Sequence, residues 1–151
     1  MLKACMNKLS NQVDASCVIL TPPDLSLVLT VTRRDSELLC FPGGSREPKE
    51  GGLGTAVREL REETGITVLP CHLDLCYQAI DEDDHLTAAY VHFCTDSLIR
   101  SAVRRERGID IVPTDWNNFI FRSAFPGYSA AAFRILRHLR TGKLPRPLVR
   151  S

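Results

Sequence analysis

Glu59, Glu62 and Glu63 fall within one short segment, and carboxylates at that spacing point to a particular chemistry. On a helix advancing about 100° per residue, Glu62 lies about −60° and Glu63 about +40° from Glu59, so the three share one face. Leu53, Val57, Leu60 and Thr64 fall between about 100° and 160°, nearly opposite, and form the side that packs. Like charges at i and i+4 weaken an isolated helix by about 0.2–0.5 kcal/mol, and by more where water is partly excluded. A hard divalent cation such as Mg²⁺ relieves that repulsion by taking oxygen ligands. Gly51, Gly52 and Gly54 stand where a cap and strong helix formers would serve stability, so the segment is not built for helix strength. Upstream, Gly43 and Gly44 permit backbone conformations closed to other residues and can bring a carbonyl toward the same ion. Arg58 precedes Glu62 by four residues, in the weaker orientation for a helical pair, and its planar fork suits holding a carboxylate such as Glu50 or Glu59.

The elements that must position these groups follow from pattern. "SCVIL" predicts a short apolar strand, and Thr21-Pro22-Pro23-Asp24 a turn. "LSLVLTVT" predicts a buried strand, and "LLCF" a short apolar run that stops at Pro42-Gly43-Gly44. A helix follows over about 53–64. "LDLCYQAI" and "LTAAYVHFC" predict a strand pair around the acidic run Asp81, Glu82, Asp83 and Asp84, which reads as a solvated hairpin loop or, less simply, a second cation site. Residues 95–113 carry no settled pattern. "YSAAAFRILRHLR" predicts an amphipathic closing helix, with Gly142, Pro145 and Pro147 as stop signals. That order gives one α/β domain with a mixed sheet, from 13 to 141, between a flexible N-terminus (1–12) and a basic C-terminal tail (142–151).

Within this frame the segment resembles the signature of the Nudix hydrolases. Gly44, Glu50, Arg58, Glu59, Leu60, Glu62, Glu63, Gly65 and Ile66 stand in the register of that signature, and every position agrees. "LTVTRR" before it and "FPGG" leading into it resemble the MutT-like subgroup. The resemblance implies a single-domain α/β/α sandwich. It implies Mg²⁺- or Mn²⁺-dependent hydrolysis of the pyrophosphate linkage in a nucleoside diphosphate joined to a further group. Carried over position by position, Glu59, Glu62 and Glu63 would hold the metal, with the Gly43 carbonyl as a further ligand. Glu59 or Glu62 would also orient or deprotonate the water. Glu50 and Gly44, with Arg58, would support those ligands from behind, and Arg33 or Arg34 would reach a phosphate. Family members use a later acid outside the signature, for which Glu106, Asp110 and Asp115 are candidates. Asp110 precedes Trp116 at a spacing that resembles the MutT arrangement.

Composition narrows the setting without choosing a substrate. At 151 residues, 44% hydrophobic and 25% charged, the chain has an ordinary one-domain composition and needs no disulfide or structural metal to bury a core. The net charge of +1 says little about partners, but no acid follows Asp115, while Arg122, Arg134, Arg137, Arg140, Lys143, Arg146 and Arg150 do. Such a basic end suits a solvated helix face and tail, or RNA phosphates. The six cysteines form no CxxC pair, the four histidines have no metal-ligand spacing, and neither a signal sequence nor a membrane-spanning run is evident, so a reducing cytoplasmic or nuclear compartment is expected.

The length and flanks favour a nucleoside triphosphate going to monophosphate plus pyrophosphate. RNA 5′-cap or 5′-triphosphate hydrolysis is the rival enzymatic expectation, and a non-catalytic nucleotide-binding regulator the rival of another class. A homodimer is expected by analogy only.

Overall fold

The computed structural model describes residues 12–140. The expected flexible N-terminus and basic tail, with Lys143, Arg146 and Arg150, lie outside these residues apart from Gln12. At the centre of the fold, β1 (Ala15–Thr21) runs parallel to β6 (Leu86–Phe93), from Ala15 opposite Thr87 to Thr21 opposite Phe93. Every β1 residue after Ala15 is buried because the strand has a core on each side. Val18 and Leu20 enter one core, Cys17 and Ile19 the other. β4 (Gly43–Ser45) pairs antiparallel with β1, and β5 (Asp74–Ile80) antiparallel with β6, giving a mixed sheet in the order β4-β1-β6-β5. A second, antiparallel sheet places β2 (Val28–Thr32) between β3 (Leu39–Cys40) and β7 (Ile111–Thr114). Pro113 is tolerated because β7 is an edge strand.

Helices cover both faces of the mixed sheet. α1 (Gly52–Thr64) packs Ala56 and Leu60 against the Val18 and Leu20 side. α2 (Asp96–Arg100) adds Ile99 to the same core. α3 (Trp116–Arg122) and α4 (Pro126–Arg140) close the Cys17 and Ile19 side with Phe119, Ala132 and Leu136. This is the expected α/β/α sandwich. An aromatic hub joins Phe41, between β3 and β4, to α3 and α4. Phe41 lies 4.8 Å from Phe119 and 5.8 Å from Trp116, both edge-on, and Trp116 stacks on Phe133 at 4.7 Å.

Several elements differ from expectation for identifiable reasons. The strand expected from Leu25 begins only at Val28, since Leu25 takes a left-handed φ of 58° in the preceding turn. Pro42-Gly43-Gly44 is expected to be a stop, but Gly43–Ser45 forms β4 because glycine lets it lie against β1; a Cβ at Gly43 would fall on the Ser16 carbonyl and 2.7 Å from the Cys17 Cα. Residues 95–113 divide into α2, a coil and β7. The run containing Trp116 is helical, with Asp115 as its cap accepting a hydrogen bond from the Asn118 N–H at 2.8 Å. No described helix is long and apolar enough to cross a membrane.

Phe119 is wholly buried at the hub. Phe119→Ala is expected to lower the unfolding free energy by about 3–5 kcal/mol in a urea titration, since neighbours from both sheets cannot all collapse into the void.

Candidate active site

α1 presents its acids at graded depths. The Glu62 side chain is 44% exposed and that of Glu59 14%, while Glu63 is buried. The expectation of one solvent-facing row is therefore corrected at Glu63. At about +40° on the wheel it lies close to Ala56, at about +60°, and turns with the packed side. There its Oε1 accepts a hydrogen bond from the Gly43 N–H at 2.7 Å, joining α1 to β4. Burial pushes the Glu63 carboxyl up to about 8 against the opposing pull of that N–H, and the Glu59, Glu106 and Glu62 carboxylates add to the rise. Burial also raises Glu59, with Arg58 pulling it down.

Arg58 gathers the carboxylates. Its Nε and NH2 donate to the two Glu50 carboxylate oxygens at 2.8 and 2.9 Å, a bidentate fork. Its NH1 donates to Glu59 Oε1 at 2.9 Å and Glu62 Oε2 at 3.1 Å, and NH2 also donates to the Ser45 carbonyl. The fork, helped by the Thr55 hydroxyl, holds Glu50 down at about 2. The same bonds, that to Glu50 first, raise Arg58 above its ordinary value. Of the alternatives for Arg58, Glu50 or Glu59, both are realised. Gly44 lies against this cluster, where a Cβ would come within 2.6 Å of the Glu59 carboxylate.

Among the later acids, Glu106 is the one brought to the cluster. Oxygens of Glu59, Glu62 and Glu106 all lie within 4.8 Å of one another. Arg34 pairs with Glu106 at 3.1 Å and donates to the Arg107 carbonyl. Asp110 points elsewhere, with Arg104 NH1 at 3.4 Å and a side chain 68% exposed, and Asp115 is spent as a helix cap. Glu59, Glu63 and Glu106 line a cleft of about 640 Å³ together with Arg33, Arg34, Gly43 and Gly44.

A second cavity of about 250 Å³ adjoins the cleft across Gly43, Gly44 and Ser45. Cys17, Cys40, Phe41, Phe125 and Tyr128 form its walls, and Arg33 borders both spaces. The acidic run closes one side and is more than a solvated loop. Asp81 accepts from the Asp83 and His85 N–H groups and from the Thr87 hydroxyl. Glu82 accepts from the Gly127 and Tyr128 N–H groups at the start of α4, and Asp83 pairs with Arg33 at 2.6 Å. Sequence reasoning missed these fastenings, for nothing local in an acidic run names its distant partners.

The NUDIX domain family model matches residues 10–115, most of the chain. The chain belongs to the Nudix family. It is accordingly a Nudix hydrolase, acting on nucleotide-type substrates in which a nucleoside diphosphate is linked to a further group. Two solved structures share the fold. A MutT structure, from work on the Aliivibrio salmonicida and Vibrio cholerae proteins, has a TM-score of 0.62 at 21% identity, over 83% of this chain and 98% of that one. The NUDIX domain of Shewanella oneidensis NrtR, in complex with ADP ribose, has a TM-score of 0.66 at 15% identity, over 83% of this chain and 86% of that one. At those identities the likeness is one of fold alone. No curated protein sequence matches significantly.

Nudix hydrolases generally use a divalent metal, and the donor set fits one. All the convergent groups are hard carboxylate oxygens, Glu59 is raised by burial, and Gly44 leaves open the space beside it that a side chain would fill.

The Glu50 carboxyl titrates well below its unfolded value of about 4.3. Its pairing thus stabilises the fold fully above that value, and the contribution is lost as pH falls toward about 2. Glu50→Gln removes it. The gap in unfolding free energy between wild type and variant should be widest near neutrality and narrow on acidification; parallel acid limbs in urea titrations would show the pair to be uncoupled from folding.

Proposed function

We propose that the chain hydrolyses nucleoside triphosphates to monophosphate and pyrophosphate, at the cleft lined by Glu59 and Glu106, on which Glu62 converges. The observation that carries this reading is the convergence of those three acids beside Arg33, at the junction with an aromatic-walled cavity large enough for a base. Glu59, Glu62 and Glu106 would hold Mg²⁺ or Mn²⁺, with Glu63 and the Gly43 carbonyl behind them. Such a cation supplies neutralisation of the charge that develops on the phosphoryl oxygens. Glu62, the most exposed carboxylate of the helix, or Glu59 beside it orients the water and takes its proton. The water oxygen bonds to phosphorus, the bridging P–O bond breaks, and pyrophosphate leaves with the electron pair. Arg58 and Glu50 hold the acids in place, and Arg33 and Arg34 face the phosphates.

The MutT-like flanks, "LTVTRR" and "FPGG", support the triphosphate over other linked diphosphates. ADP ribose, the ligand of the NrtR domain, belongs in the same substrate panel.

The panel is read by phosphate and pyrophosphate release with added Mg²⁺ or Mn²⁺. Glu62→Gln and Glu106→Gln are each expected to lower kcat by about 10²-fold or more, while Asp110→Asn stays near the wild-type rate. Full activity in both glutamate variants, with the metal still required, would remove the cleft as the reaction site.

A further inference from the structure

Arg33 follows the last residue of β2 and borders both the acidic cleft and the inner cavity, so it stands where a nucleotide spanning the two would carry the phosphate nearest its nucleoside. It is held there by two contacts. Its NH2 donates to Asp83 Oδ2 at 2.6 Å, and its guanidinium lies 5.2 Å over the Phe125 ring. The pair is open to water, with side-chain exposures of 47% for Arg33 and 36% for Asp83. Ion pairs so exposed add little to stability. The acid itself is firmly seated. The Asp83 N–H donates to Asp81 Oδ1 at 2.9 Å, Asp81 is bound in turn to Thr87 of β6, and the neighbouring Glu82 caps α4.

We propose that Asp83 is a positioning residue that pre-orders Arg33 as the phosphate-binding arm between cleft and inner cavity. The proposal rests on the phosphate role given to Arg33 under the proposed function. A free arginine surrenders many rotamers when it grips a phosphate, and that loss weakens binding. Here the loss is taken on folding, by a carboxylate on a fastened turn and by an aromatic face. Asp83 engages one guanidinium nitrogen and leaves the other N–H donors of the fork for the phosphate. Asp83 thus acts on substrate binding rather than on the bond-breaking step, because it touches Arg33 and none of the acids in the cleft. Sequestration is the opposite case: there Asp83 would compete with phosphate for the guanidinium, and its removal would tighten binding.

The test uses full-length wild type, Asp83→Asn, Arg33→Ala and the double variant. Steady-state kinetics on a nucleoside triphosphate accompany calorimetric binding of its methylene-bridged, non-hydrolysable analogue. Asp83→Asn is expected to raise KM and the analogue Kd by roughly 3–10-fold, the scale set by ordering one long side chain, with kcat close to wild type and the thermal midpoint almost unmoved. Arg33→Ala should raise both further, and the double variant should match Arg33→Ala alone, since Asp83 acts only through Arg33. Asp83→Glu should recover part of the loss. Tighter binding by Asp83→Asn, unchanged binding, or additive losses in the double variant would each overturn the proposal. A wild-type chain that turns over no pyrophosphate-linked nucleotide would instead sink the hydrolase reading, and the calorimetric comparison would still decide the role of Asp83.

Discussion

Crowding carboxylates into a half-buried cleft is tolerable only if a counter-charge holds them close and still, and in this chain Arg58 does so. Its fork takes Glu50 on one edge and reaches Glu59 and Glu62 from the other, while the Ser45 carbonyl fixes its tip. Arg58 and Glu50 are each 17% exposed in their side chains, so the bonds are shielded from water more than those of a surface pair. A lysine could not replace it, because a point charge lacks the planar geometry that spans acids from two segments. Arg58 also compensates for a poor helix start. Gly51 offers no side-chain cap to α1. The Thr55 hydroxyl instead bonds Glu50, which Arg58 has already fixed, so one network orders the loop before the helix and the acids on it.

The rest of the fold serves to keep α1 in register with β4. Leu60 and Ala56 press the helix onto the mixed sheet, and the Glu63 bond to the Gly43 N–H ties it to the strand beside β1. Gly43 and Gly44 are needed for unlike reasons. A side chain at Gly43 would strike the backbone of β1, and one at Gly44 would strike the Glu59 carboxylate. At the far end, the left-handed Gly65 (φ 75°) closes the helix by donating its N–H to the Arg61 carbonyl, and the chain leaves toward Val68 and the core.

Much of this was legible because it is local. Helical spacing of Glu59, Glu62 and Glu63, the inward Arg58, and the strands flanking the acidic run all follow from periods of a few residues. What spacing could not supply was depth. A wheel places Glu63 on the acidic face, but the Gly43 N–H of β4 takes its carboxylate and Glu63 is buried. Nor could spacing choose among acids that reach the cleft from elsewhere. The interval between Asp110 and Trp116 suggested Asp110, yet Asp110 begins the approach to β7 with its side chain outward, while the preceding coil brings Glu106 in to meet Arg34. The helical Trp116 segment was illegible for a similar reason. It is seven residues long, and its stability comes from the Asp115 cap and from Phe41 and Phe133 rather than from its own pattern.

Glu63 shows how the site and the sheet are joined energetically. Burial disfavours charge on its carboxylate, and the Gly43 N–H only partly offsets that effect. The Gly43 N–H it binds belongs to the strand whose neighbour, Gly44, lies against Glu59. A change of charge at Glu59 and Glu62 is therefore felt at Glu63, and through Gly43 at the edge strand that forms the wall shared with the inner cavity. The acids thus do more than await an ion: their mutual repulsion and uneven burial couple the helix, the edge strand and the inner cavity into one electrostatic unit.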